Sequence, residues 1–165
     1  MDVVGEMNLD HPPSFHQKNF ERLKCLRDRL NWDVEEERHE FLRRVDPLIN
    51  DWLVQPSHLR EMFKEREIEC LLTDCMTYWR EVDFHSVKLG RFVKFVSLSG
   101  YKNGPELGED GKPLLRRTTA LHLAARRCFI GRQEVVDDLF EIYDGSDANY
   151  VDDDGLSHFH VACMF

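Results

Sequence analysis

The sequence predicts an all-α fold built as a helical repeat, on three observations. A short pattern occurs twice, as Thr119-Ala120-Leu121-His122-Leu123-Ala124-Ala125 and as Ser157-His158-Phe159-His160-Val161-Ala162, with His122 and His160 standing 38 positions apart. Upstream of it, apolar residues recur at the three- and four-residue spacing of amphipathic helices. The 165 residues are 42% hydrophobic with only nine glycines and six prolines, enough apolar material for one continuous core and too few breakers for a long structureless linker.

The elements follow in chain order. Ser14 is placed to cap a helix whose Phe20, Leu23, Leu26 and Leu30 form one stripe. Asp33 is placed to cap the next, with Phe41, Leu42 and Val45 facing inward. Asp46-Pro47 reads as a cap followed by proline at a first helical position, so Leu48, Ile49, Trp52 and Leu53 are expected to start a new, bent segment. Val54-Gln55-Pro56 breaks the chain. Ser57 then caps the longest pattern, which runs through Leu59, Met62, Phe63, Ile68, Leu71, Leu72, Cys75, Met76 and Trp79. Leu89, Phe92, Val93 and Val96 mark a further helix, with Gly100 where a helix end favours glycine. The segment from Tyr101 to Arg117 carries the turn dipeptides Gly104-Pro105 and Asp110-Gly111 and reads as an extended hairpin finger.

In the repeated pattern, Thr119 and Ser157 are hydroxyl residues just ahead of apolar, Ala-rich runs, which suits N-caps whose oxygens accept from unpaired backbone N–H groups. Leu121 and Phe159 stand where an inward-facing side chain is expected. Ala124, Ala125 and Ala162 are small enough for helices to approach and have high helix propensity. Between the copies, Glu134 to Phe140 suits a second helix and Asp147-Ala148-Asn149 its exit.

On these residues the chain resembles the ankyrin-repeat family, whose period is roughly 33 residues and whose signature is Thr-Pro-Leu-His-x-Ala. The resemblance implies an ankyrin-type helical solenoid with short β-hairpin-like fingers. It also implies that His122 and His160 tie each helix start to neighbouring backbone. Ala120 and His158 depart from the pattern, standing where the family has proline, and are expected to give softer caps. Arg117 stands where the family has glycine, whereas Gly155, following Asp152, fits. Arg126 to Ile130 is longer than the family's connection, as is Tyr143-Asp144-Gly145-Ser146. The predicted organisation is a helical amino-terminal region over 14–99, ending in a degenerate repeat helix, then repeats over 100–165, one full at about 118–149 and one partial at 150–165. A helical leader of this kind and an elongated first finger are similar to those of insect-type ankyrin proteins.

What the resemblance implies about function is a non-enzymatic adaptor or scaffold that binds a protein partner through its fingers and concave first-helix face. Carried over position by position, the binding residues are Arg126 and Arg127 after the first-repeat helix and Asp153, Asp154 and Leu156 around the second finger, with Glu106, Glu109 and Arg116 on the first. Arg126 and Arg127 are expected to be exposed, so that reversing their charge leaves helical content unchanged. The alternative is the amino-terminal piece of a larger effector whose activity lies in further domains, because Phe165 closes the sequence inside a repeat's first helix. That unpartnered helix is expected to fray and to self-associate.

The formal charge of −9 argues against non-specific nucleic-acid binding, which needs clustered basic residues. Asp33 to Glu40 reads as a solvated helix face. No stretch resembles a secretory leader or a spanning helix, which points to an intracellular protein, cytoplasmic or nuclear, with no membrane insertion. Five cysteines at 25, 70, 75, 128 and 163 fit reduced thiols in that setting. His158-x-His160-x-x-Cys163 and the Cys70/Cys75 pair are the metal candidates, but neither completes a four-ligand set, so no metal and no cofactor are expected. No nucleophile elbow or phosphate loop is present, and no catalytic residue is assigned.

Overall fold

The computed structural model describes residues 15–50, 56–78, 88–127, 133–145 and 148–165. Among these the chain forms eight helices: α1 (Phe15–Asp28), α2 (Glu35–Ile49), α3 (Pro56–Met62), α4 (Glu65–Tyr78), α5 (Lys88–Leu98), α6 (Ala120–Arg126), α7 (Gln133–Tyr143) and α8 (His158–Ala162). The extended segments meet only in isolated bridges. The protein is all-α among the described residues. No helix among them is long and apolar enough to cross a membrane.

Two rows of helices organise the carboxy-terminal half. α4 packs on α6 and α6 on α8, while α5 packs on α7; α4 also meets α5, and α6 meets α7. Ala120, Ala124 and Ala125 are buried beside Leu121 and His122, so part of the surface α6 presents to its neighbours is no larger than a methyl. α2 lies against α4 and α5, and α1 against α2 and α3. One continuous apolar cluster runs from Leu23 to Val161. At its centre Phe63 meets Phe41 and Phe92 edge-on, at 6.1 and 6.2 Å, a geometry that adds to the burial each ring already contributes.

Four expectations about the first half require revision. α2 runs straight through Pro47. The proline sits in the last turn, where only one i→i−4 bond is lost, and Asp46, instead of capping a new helix, is buried and receives Arg91 Nη1 at 3.0 Å. The cap position of α2 is Val34, which makes no side-chain bond, and not Asp33, whose N–H donates to Asn31 Oδ1. Glu35, Glu36 and Glu37 in the first turn complement the helix dipole instead. Ser57 lies inside α3, and the long pattern is split between α3 and α4. Glu67 accounts for the split: its Oε2 accepts from Lys64 N at 2.8 Å, the reach-back half of a capping box, which starts a new helix at Glu65. Ser14, Trp52, Leu53, Val54, Gln55, Trp79, Cys128 and Gly131 lie outside the described residues.

The two fingers differ in length. Just past the end of α5 stands Gly100, whose φ of 74° suits a residue without Cβ. Beyond it Leu107 pairs with Pro113, Leu114 N donates to Glu106 O at 2.7 Å, and Gly108 N to Lys112 O at 2.8 Å, closing a tight hairpin. The finger base is joined to the second finger by Val151 N to Leu115 O at 2.8 Å and Arg117 N to Val151 O at 3.0 Å. In the second finger Asp152 N donates to Leu156 O at 2.9 Å.

Both repeated helix starts use histidine where a capping box has glutamate. Ser157 Oγ accepts from His160 N at 3.2 Å while Ser157 N donates to His160 Nδ1 at 3.1 Å. Thr119 N donates to His122 Nδ1 at 3.0 Å. Because that backbone N–H occupies Nδ1, the Thr119 hydroxyl is free to donate to His158 Nε2, 2.7 Å away. His158 does not soften the second cap. Its backbone N–H donates to Tyr150 O at 3.0 Å, a bond proline could not make, and its buried imidazole ties α8 to α6. Replacing His122 with leucine is expected to cost about 1 to 3 kcal/mol in a denaturant melt. Superimposable wild-type and mutant melts would refute the capping role.

Candidate functional site

The residues expected to bind a partner fall into separate places. Glu106 and Glu109 are exposed on the first finger and Arg116 on its base. On the same finger Leu107 and Leu114 are 67% and 53% exposed, so the hairpin presents leucines to solvent. The sequence reading missed these two leucines, although they flank the Asp110-Gly111 turn that it placed in the finger.

Arg126, Asp154 and Leu156 come together with Gly155 and His160 around a shallow depression of about 460 Å³ on the second finger. Asp153 is exposed beside it. The charges are already matched: Arg126 pairs with Asp152 at 2.6 Å and with Asp154. Asp152 is wholly buried, and its Oδ1 accepts from Asp154 N and Leu156 N at 3.0 and 2.9 Å. Burial would raise the Asp152 carboxyl, but these N–H groups and Arg126 outweigh it and hold it below the usual carboxylate range. Arg127 lies elsewhere, its Nη1 donating to the Met76 and Thr77 carbonyls at 2.8 Å each. It caps the end of α4. Both arginines therefore have partners inside the chain. Both are exposed, as expected, but reversing their charge would place a third carboxylate beside Asp152 and Asp154 and free two helix-end carbonyls, so a loss of stability is expected alongside any change in binding.

A second concavity, of about 350 Å³, lies between α4 and the first finger. Its wall includes Arg38, Glu65, Glu69, Cys70, Asp74 and Glu106. Of the expected residues only Glu106 reaches it. At its edge lies a polar network that the sequence reading did not assign. Glu69 accepts from Asn103 Nδ2 at 3.0 Å, Arg117 Nη2 at 3.3 Å and Tyr143 Oη at 2.9 Å. Tyr150 Oη donates to Asn103 Oδ1 at 2.6 Å, and the Arg117 guanidinium lies 4.7 Å from the Tyr150 ring centre. Burial lifts the Glu69 carboxyl above its ordinary range, against the pull of Arg117 and the Tyr143 hydroxyl. The missing glycine at Arg117 was the sequence signal, since an arginine at a turn position has to point somewhere.

Chemically this cavity is poorly equipped for catalysis. Arg38 forks onto Asp74 through Nε at 2.6 Å and Nη2 at 3.1 Å, and Arg117 is engaged by Glu69. Burial pushes the Cys70 thiol up, which leaves it protonated and a weak nucleophile. The metal candidates of the sequence do not assemble either. His160 is occupied by Ser157, Cys163 is exposed, and among the described residues the group of three close metal-type donors is Glu35, His39 and Asp74. No family model, curated protein or solved structure matches the chain.

Proposed function

We propose that the chain is an ankyrin-type helical solenoid that acts as a non-enzymatic protein-binding module, with the first finger as its principal contact. What supports this most is the finger itself: a rigidly hydrogen-bonded hairpin that holds Leu107 and Leu114 in solvent beside Glu106 and Glu109. Exposed leucines on an ordered tip, where an unconstrained loop would be polar, mark a surface that is covered in a complex. The two helix rows and the finger-to-finger hydrogen bonds at Val151 supply the stacked frame that such a reading needs. The internally paired charges of the α4 cavity favour a structural role for that region over a catalytic one.

The test compares wild type with Leu107→Ser/Leu114→Ser and with Glu106→Lys/Glu109→Lys in affinity purification from native cells. These substitutions are exposed and are expected to change stability by no more than about 0.5 kcal/mol. The expected result is one or more proteins retained by wild type and lost by the leucine variant at unchanged melting temperature. Retention of the same proteins by both variants would remove the finger from the binding surface.

A further inference from the structure

We propose that Glu35, His39 and Asp74 form a site for a divalent first-row transition ion that fastens α2 to α4. Glu35 and His39 are four residues apart on α2 and so share one face of the helix, while Asp74 reaches them from α4. One ligand atom from each lies within 4.8 Å of the other two.

The imidazole is the observation that points to a ligand. His39 is packed with its ring centre 4.1 Å from that of Tyr78 and its side chain 10% exposed, yet its buried Nε2 has no hydrogen-bond partner. A buried nitrogen left in that state is costly, and native structures rarely keep one without a reason. The nearest carboxylate oxygen, Glu35 Oε1, stands 3.5 Å away. That is too long for a good hydrogen bond but close to the edge of a tetrahedron around zinc, roughly 3.4 Å for ligand bonds near 2.1 Å. Asp74, 4% exposed, completes a set of one nitrogen and two carboxylates. Glu35 is more than half exposed, which leaves a path for the ion and room for water in the remaining position.

The donor chemistry restricts the ion. An imidazole does not suit calcium or magnesium, which prefer oxygen alone, and the lack of a thiolate does not suit copper(I). Zinc and its first-row neighbours fit. Arg38 both helps and limits the site. Its fork engages both oxygens of Asp74, which fixes that carboxylate and leaves an ion only a remaining lone pair on one of them. Its charge cancels one of the two carboxylates, so the site should bind with micromolar rather than nanomolar affinity. Such an ion would pin the amino-terminal helices to α4 without touching the finger surface.

Zinc(II) and cobalt(II) titrated into the full chain test the proposal by calorimetry, thermal melting and absorption. The expected result is one equivalent bound, a raised melting temperature, and cobalt spectra without a near-ultraviolet sulfur-to-cobalt band. Glu35→Gln and His39→Gln should each weaken binding by roughly tenfold or more. Glu35→Gln alters an exposed side chain and keeps the test valid if the histidine variant does not fold. Absence of binding, binding undiminished in Glu35→Gln, or a sulfur-to-cobalt band that disappears on thiol alkylation would each overturn it.

Discussion

Acidification from pH 7 to pH 4 is expected to remove about 3 kcal/mol of stability through His158 alone. Burial, with the charge of His122 second, depresses the His158 pKa to about 3, against roughly 6.5 in an unfolded chain. Above pH 6.5 the imidazole is neutral in both states and contributes no pH dependence. Below it the unfolded chain takes up the proton and the folded chain does not, so stability falls by about 1.4 kcal/mol per pH unit until the folded group titrates. His122, whose ring centre is 4.6 Å from that of His158, is also depressed, mainly by burial, and acts in the same direction. Glu69 acts oppositely, because its raised pKa makes the folded state the better proton acceptor. His158→Gln isolates the effect by comparing urea melts at pH 7 and pH 4. The variant should lose much less stability than wild type over that interval. Equal losses would mean that the imidazole is protonated in the fold.

Removing the Arg117 charge is expected to be the most damaging single change near the first finger. In Arg117→Met the aliphatic stem survives, but Glu69, largely buried, loses the guanidinium it pairs with and Tyr150 its facing cation. Breaking a buried pair from one side costs several kcal/mol, and the 35% exposure of Arg117 argues for the low end, about 2 to 3 kcal/mol. Adding Glu69→Gln should recover most of that, since the glutamine carries no charge and still accepts from Tyr143. A double variant no more stable than Arg117→Met would show that the charge pair was not the source of the loss.

The helical periodicity was legible where side chains repeat along one helix, as in Ile68 to Met76 and Leu121 to Ala125. Boundaries were less so. The break between α3 and α4 coincides with Glu67 reaching back to Lys64, and Asp46, ahead of Pro47 in α2, pairs with Arg91, 45 residues away, instead of capping a new helix. A pattern of apolar residues carries neither fact. The histidines at 122 and 160 were read as ties at the helix start, and both make capping bonds. The role of His158 was not legible, because its partner Thr119 is 39 residues distant. The same holds for Arg126 and Arg127: adjacency in sequence made them one basic patch, whereas the fold sends one to a finger aspartate and the other to the end of α4. Charge at a position is visible in a sequence, but the group that neutralises it is not.

The first finger has a consequence for how such a chain can change over time. Its hairpin closes on itself through the Glu106–Leu114 and Gly108–Lys112 hydrogen bonds, and its base is held by the hydrogen bonds to Val151. Length added between those anchors affects only loop closure, whose entropy grows so slowly that doubling the loop costs about 0.6 kcal/mol. The tip can therefore be lengthened, shortened or rewritten residue by residue while the helices beneath keep their packing.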